Sequence, residues 1–299
     1  MAVGLLQTLD EEVPPAAGIA VAIVAISTAA ILVRLTTAPS SVAAFYRVLF
    51  TTLALLPVAG WKYRTEFARI GRRDLAFASL SGIALAIHFA AWFESLAWTS
   101  VAASVTLVQA QPLFVAVGAW LLLSERLSTR IVAGMVVAIA GMVTMSVGDL
   151  LGGVLVGPDP MLGNGLALLG AVMAASYVLA GRSLRQRVSL VPYVVVVYSV
   201  CSVVLLVIVL AQGAALTGYA PREWLLFAGL AVGPGLFGHT VINWVLAHVE
   251  SSIVSVSLLG EPVGSTILAL VLLGESPTLF TMLGGAVVLV GIGLTASDR

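Results

Sequence analysis

The sequence predicts an all-α, polytopic membrane protein of ten transmembrane helices, arranged as two inverted five-helix repeats, and three observations predict it. The 299 residues are 60% apolar and only 9% charged, against roughly 25% charged in an ordinary soluble domain. The apolar residues fall into runs long enough for a helix to cross about 30 Å of hydrocarbon at 1.5 Å per residue, without the alternation that a membrane β-barrel requires. Landmarks also recur at a fixed distance: Pro262 and Glu275 have counterparts 150 positions earlier, in Pro112 and Glu125.

Apolar runs and their polar breaks place the spans at about 17–34, 40–60, 74–98, 101–123 and 128–147, then 162–182, 189–211, 223–247, 251–273 and 277–296. The first repeat is thus 17–147, the linker 148–161 external, and the second repeat 162–296. Residues 1–16 and 297–299 are expected as cytoplasmic tails. The first carries Asp10, Glu11 and Glu12 and no Lys or Arg, so it lacks the basic start of a secretory signal peptide. Breaks as short as Thr99-Ser100 and Glu250-Ser251 force their flanking helices to be antiparallel. With the N-terminus inside, Lys62, Arg64, Arg69, Arg72, Arg73, Arg126, Arg130, Arg182, Arg185, Arg187 and Arg299 are all cytoplasmic, eleven of the fourteen basic residues. Basic residues accumulate in cytoplasmic loops, so both termini are placed in the cytoplasm of a cell with this chain in its cytoplasmic membrane.

The repeat is clearest over the last three spans of each half. Leu96-Ala97 aligns with Leu246-Ala247, Leu122-Leu123 with Leu272-Leu273, Gly134 with Gly284 and Gly141 with Gly291, all at the same offset. Five spans per half is an odd number, so the second half inserts with the opposite orientation, as in many secondary transporters.

Ionisable residues within spans are rare and costly, roughly 2.5 to 3.5 kcal/mol for a central charge on lenient scales, so each is a candidate functional group. Glu261, next to Pro262, is the foremost. Ser257 and Ser265 lie four residues to either side and Gly264 is close by, giving a small, polar face. Pro262 frees a carbonyl one turn earlier, at Leu258, and kinks the helix. Glu261 reads either as a substrate or proton ligand or as a carboxyl held in a helix–helix hydrogen bond. Its counterpart is Gln111, before Pro112, with Gln109 and Ser104 nearby, so only one copy is ionisable. Gln111 serves equally as cavity lining or as interhelical hydrogen-bonding glue.

On the third span His88, Trp92 and Ser95 share a face, and on the eighth His239 and Asn243 do. Each helix offers one His with no Cys or Asp in register, so no metal site is expected; cavity lining and buried packing remain the alternatives. Arg47, inside the second span, stays charged at any accessible pH and therefore needs either substrate or an intramembrane acid. Glu94 is expected near the outer interface. Glu125 and Glu275 end their helices against an unfavourable dipole, which anticipates contact with a neighbouring helix N-terminus. Phe45, Tyr46, Phe50, Phe89, Phe93, Tyr177, Tyr198 and Trp244 are expected chiefly in packing or lipid contact, with Trp61 and Trp224 at the interfaces. Gly233-Pro234-Gly235 predicts a broken or hinged eighth span.

No Walker loop, GxSxG, HExxH or Cys/His cluster is present, so no catalytic residue, cofactor or enzyme activity is expected. Zero net charge points to no nucleic-acid partner, and Cys201, the single cysteine, forms no intrachain disulfide.

The run from Leu96-Ala97 through Gln111-Pro112, LLLSER at 121–126 and Gly134 with Gly141 resembles the EamA-type repeat of the drug/metabolite transporter superfamily. Glu261-Pro262 and LLGES at 272–276 match it a second time. The resemblance covers nearly the whole chain. It implies ten helices in two inverted repeats, a central cavity, and export or exchange of small metabolites, amino acids among them; Arg47 after Tyr46 sits where such proteins commonly carry an arginine. Ile26-Ser27-Thr28-Ala29 departs from the Trp-Gly pair common in the first helix. The expected function is therefore alternating-access transport, with the bilayer and a small-molecule substrate as partners. A proton cycle or simple exchange is favoured over sodium because intramembrane oxygen ligands are few. Glu261, Gln111, His88, Trp92, His239, Asn243 and Arg47 are the candidate substrate or coupling residues. The competing readings are an intramembrane lipid-modifying enzyme and a non-transporting scaffold, and the sequence favours neither a monomer nor a dimer.

Overall fold

In the computed structural model, residues 14–123, 128–151, 157–185, 187–248, 258 and 260–296 are described. Among the anticipated features, Glu125, Ser257, residues 1–13 of the first tail, the whole of the 297–299 tail and residues 152–156 of the linker lie outside them. The described residues form helices and no strands: α1 (Pro15–Leu35), α2 (Ser40–Lys62), α3 (Arg72–Trp98), α4 (Val101–Val108), α5 (Gln111–Leu123), α6 (Thr129–Leu151), α7 (Pro160–Arg185), α8 (Leu190–Ala211), α9 (Pro221–Leu230), α10 (Val241–His248), α11 (Gly260–Leu268) and α12 (Leu279–Ala296). A single turn, Arg64–Phe67, follows α2, and π-helical segments occupy Ala231–Thr240 and Ala269–Leu273. Six of these helical stretches are individually long and apolar enough to cross a membrane.

The chain starts and stops these helices by local chemistry. Pro15 and Pro221 occupy first-turn positions, where a missing N–H costs nothing. Ser100 caps α4 by accepting from the Ala103 N–H at 3.0 Å. The π segment after α11 ends at Gly274, whose φ of 67° is the left-handed conformation that glycine adopts without strain.

Three expectations change in detail. The span predicted over 101–123 is interrupted rather than kinked: a turn at Gln109-Ala110 separates α4 from α5, and Pro112 lies in the first turn of α5. Pro262 likewise lies in the first turn of α11, and the Leu258 carbonyl it was expected to free accepts from the Glu261 N–H at 2.9 Å. The Gly233-Pro234-Gly235 stretch is not broken. It widens into a π segment between α9 and α10, the insertion by which a helix absorbs an extra residue and a proline without losing continuity.

Packing inverts the pattern of a soluble protein. Val136, Ile139 and Val143 on α6, Val203, Val207 and Leu210 on α8, and Leu283, Val287 and Val290 on α12 form exposed apolar stripes at helical spacing. Ser27, Arg47, Thr51, Ser81, His88, Ser95, Ser104, Gln109, Ser202, Asn243, Glu261 and Ser265 are buried. Apolar side chains facing outward and polar ones inward are what a hydrocarbon solvent selects.

Helix contacts join the two halves in matched pairs. α3 packs along α7, and α1 packs along the stretch from α9 to α10. α4 and α5 pack on α7, and α11 packs on α1. α2 faces α8, and α6 faces α12. Glycine lets the last pair approach at backbone distance: a Cβ on Gly141 would lie 2.6 Å from Val288 N, and one on Gly291 would lie 2.4 Å from Ala138 N. Both clashes involve residues that are themselves 150 positions apart.

Loops gather at two ends. At one, Arg34 and Glu275 form an ion pair of 2.8 Å, Glu275 Oε1 accepts from the Val101 N–H at 2.6 Å, and Glu223 accepts from Thr36 and Thr37. The contact with a helix N-terminus anticipated for Glu275 is therefore present, at the start of α4. Trp224 is not an isolated belt residue at this end; it packs into an aromatic nest with Tyr46, Tyr219 and Phe227. At the other end Arg187 pairs with Asp74 at 3.0 Å and Ser189 donates to Glu66.

Candidate functional site

Half-way through the helices, α2, α3, α8 and the first π segment border a small cavity. Arg47, Val48, Thr51, Phe89, Tyr198, Gly235 and His239 line it, and its volume is about 10 Å³, room for roughly one water and no metabolite. Arg47 is only 2% exposed. Its guanidinium lies over the Phe89 ring at 4.2 Å and near the Phe93 ring at 5.5 Å, within cation–π range, while its Nη1 has no hydrogen-bond partner.

The widened π turn sets the position of His239, whose ring meets Phe89 edge-on at 5.6 Å. Gly235 brings α2 close, since a Cβ there would fall 2.3 Å from Thr51 Oγ1; Thr51 donates to the Arg47 carbonyl at 2.8 Å. Tyr198 closes the wall from α8 with a buried hydroxyl that makes no hydrogen bond of ordinary geometry. One turn on, Ser202 is also buried without a partner.

His88 is fixed by an Nδ1 contact of 2.8 Å to the Gly170 carbonyl and stacks on Trp92, 5.8 Å away. The Trp92 indole N–H is buried and unpartnered. Glu261 is 6% exposed and accepts from Gln109 Nε2, across the contact between α4 and α11. It lies within electrostatic reach of Arg47 but forms no ion pair with it among the described residues. Ser265 and Gly264 serve packing: Ser265 donates to the Ser27 carbonyl at 3.1 Å, and a Cβ on Gly264 would meet Ser27 Oγ at 2.4 Å.

The structure thus brings Arg47, His88, Trp92, His239 and Glu261 into one region. Two other expected residues are engaged differently. Asn243 is tied down by the Tyr177 hydroxyl at 3.2 Å and the His239 carbonyl at 2.8 Å. Gln111, half-buried at the start of α5, is not the amide that meets Glu261; Gln109 is. The break between α4 and α5 puts Gln109 at the end of α4, toward α11, so the amide that meets Glu261 is not its repeat counterpart Gln111 but a residue two positions earlier. Tyr198 was grouped with packing aromatics, and its buried hydroxyl, near Thr240 but without a hydrogen bond of ordinary geometry, sets it apart.

Above the site lies a second space, of about 510 Å³, lined by residues including Arg34, Ser40, Ser41, Phe93, Glu94, Leu96 and Gln212. It opens at the end carrying the Arg34–Glu275 pair. Glu94, expected near this interface, is held there by Trp98 Nε1 at 2.8 Å and by Ser40. Phe93 lines this vestibule and its ring also lies 5.5 Å from the Arg47 guanidinium.

Comparisons with known proteins agree with this architecture. The chain is 24% identical over 261 residues to an uncharacterized transporter of Archaeoglobus fulgidus, covering 86% of this chain and 87% of that one. A crystal structure described only as that of a protein shares the fold, with a TM-score of 0.62 and 21% identity over 94% of this chain and 95% of the other. The sequence model of the EamA-like transporter family matches twice, at residues 16–147 and 161–297. This polytopic, all-α membrane protein therefore belongs to the EamA-like transporter family, within the drug/metabolite transporter superfamily.

Proposed function

We propose that the protein is a secondary transporter that exports or exchanges a small metabolite, amino acids being among the candidates, across the cytoplasmic membrane. One observation carries the reading: a buried arginine with no ion-pair partner among the described residues and a buried carboxylate share the centre of the helix bundle, below an open vestibule. Charges at membrane depth are costly, and a purely structural core has no need of both. The working scheme is alternating access across ten spans in two inverted five-helix repeats, 17–147 and 162–296, joined by the 148–161 linker. The matched pairing of helices and the reciprocal Gly141 and Gly291 contacts support that scheme, because a two-fold in the membrane plane generates such pairs.

The conformation fits an occluded state with a closed central cavity and a vestibule on one side. The basic-residue distribution assigns that vestibule to the outside and both termini to the cytoplasm. Rocking of four-helix units from each repeat would open the cavity first to one side and then to the other. Substrate and coupling contacts are assigned to Arg47, His88, Trp92, His239 and Glu261, with Gln109 holding Glu261; Gln111 and Asn243 are assigned to lining and interhelical ties at the margin. Glu261 is the candidate proton carrier. The scheme involves no catalytic residue and no cofactor.

Transport into proteoliposomes tests this. A substrate should accumulate in response to a pH gradient in the wild type, and Glu261→Gln should abolish the response while leaving exchange intact. Unchanged pH-driven uptake in the variant sinks the proton assignment, and the absence of carrier-type saturation for any metabolite sinks the transporter reading.

A further inference from the structure

Among the described residues Arg47 is the one basic side chain that is fully buried, with two buried carboxylates as possible partners, Glu223 and Glu261. Both are otherwise engaged: Glu223 takes Thr36 and Thr37, and Glu261 takes Gln109. Arg47 is left with Nη1 unsatisfied. A guanidinium does not deprotonate to escape burial, and a buried charge without a counter-ion is strongly unfavourable. Its stacking on Phe89 covers a face and leaves the N–H edges, where the fork geometry suited to an oxyanion resides. The Tyr198 hydroxyl, on the same cavity wall, is a second buried donor; it faces Thr240 without a hydrogen bond of ordinary geometry, and a ligand oxyanion would take its place.

We infer that the molecule this cavity accepts carries a single carboxylate, bound through Arg47 and Tyr198, with an apolar body against Phe89 and Phe93. This rests on the transporter reading and names the substrate class of the same site. Glu261, within electrostatic reach of Arg47, is the proton carrier of the proposed scheme; with its proton on, Arg47 is the one charge left at the site, and a monoanion neutralises it. A phosphate dianion calls for more cations than the site holds. Two aromatic faces on the guanidinium equally disfavour a small, fully hydrated anion. The cavity of this conformation must expand to admit such a ligand, as alternating access requires.

The test uses the detergent-purified full chain and matched probes: benzoate with benzamide, phenylacetate with phenylacetamide, isovalerate with isovaleramide, leucine with leucinamide, and inorganic phosphate. A ligand that binds only the folded state raises the melting temperature. At least one acid should do so where its amide does not, Arg47→Gln should remove the effect, and Tyr198→Phe should weaken apparent affinity by roughly tenfold. Amides as stabilising as their acids, stabilisation by phosphate alone, or no response to any acid would each overturn the assignment. A measurement without ligand stands beside it: Arg47→Met should melt no lower than the wild type, because it removes a charge that lacks a protein partner. A fall of several degrees identifies Arg47 as a structural partner and overturns the assignment. Flux separates the two readings: acid-specific, Arg47-dependent binding without proteoliposome transport leaves the carboxylate site standing and removes the carrier. Saturable transport of uncharged probes unaffected by Arg47→Gln does the reverse.

Discussion

The contact between Gln109 and Glu261 ties α4 to α11 where both spans approach the centre of the bundle. A buried carboxyl deprived of its donor bears the desolvation cost of an unmade hydrogen bond, about 1–3 kcal/mol or more. Gln109→Leu should therefore lower stability by roughly that amount, read by thermal unfolding in detergent. Glu261→Gln keeps a side chain able to bond the amide and should melt close to the wild type while losing its response to a pH gradient. Equal losses of stability in the two variants would mean that the carboxylate is a packing group. Glu261 stood out in the sequence because an acid beside a proline at membrane depth is conspicuous. Gln109 did not, because an amide in an apolar run has many structural uses and the partner it meets is 152 positions away.

At the scale of elements, glycine and proline set what each helix can touch. Gly141 and Gly291 carry α6 and α12 into backbone contact, and a Cβ at either would fall 2.6 or 2.4 Å from a main-chain nitrogen. Gly60, near the end of α2, meets nothing within 4 Å. Gly141→Ala and Gly291→Ala should each destabilise by about 1–3 kcal/mol, the cost of overpacking. Gly60→Ala should be neutral or stabilising by up to ~1 kcal/mol, since alanine loses less entropy in a helix. Melting curves of the three variants decide the matter, and equal behaviour at all three would remove the close-approach argument. The π segment over Ala231–Thr240 carries a comparable lesson. Gly233-Pro234-Gly235 announced a weakened helix, but whether such a stretch breaks or widens depends on Thr51 and Ile26, which pack against it and come from α2 and α1.

For the whole molecule, the two ends are closed by unlike devices. At the vestibule end is a half-buried network in which Glu275 joins Arg34 to the N-terminus of α4, so it combines a charge-assisted pair with favourable dipole placement. The other end carries Asp74 with Arg187, whose arginine side chain is 53% exposed, and exposed pairs contribute little. Glu275→Gln should therefore loosen the vestibule, whereas Asp74→Asn should not. In a Cys201→Ala background, a cysteine at Leu96 in the vestibule floor should react with maleimide several-fold faster when Glu275→Gln is present. An unchanged labelling rate would show that the Glu275 network holds no gate.

The sequence by itself determined the solvent, the helical character and the internal duplication. Those properties follow from local composition and from the hydrogen-bonding demand of a backbone in hydrocarbon, neither of which needs a distant partner. It also marked Arg47, His88 and Glu261, since any charge or imidazole in such a chain is exceptional. Only the tertiary structure decided which of the polar groups meet. Gln109 rather than Gln111 reaches Glu261, Asn243 turns to Tyr177, and Arg47 stands apart from both buried acids. Those outcomes depend on a helix break, on a π turn and on glycine contacts between halves 150 residues apart, all set by how the helices pack together.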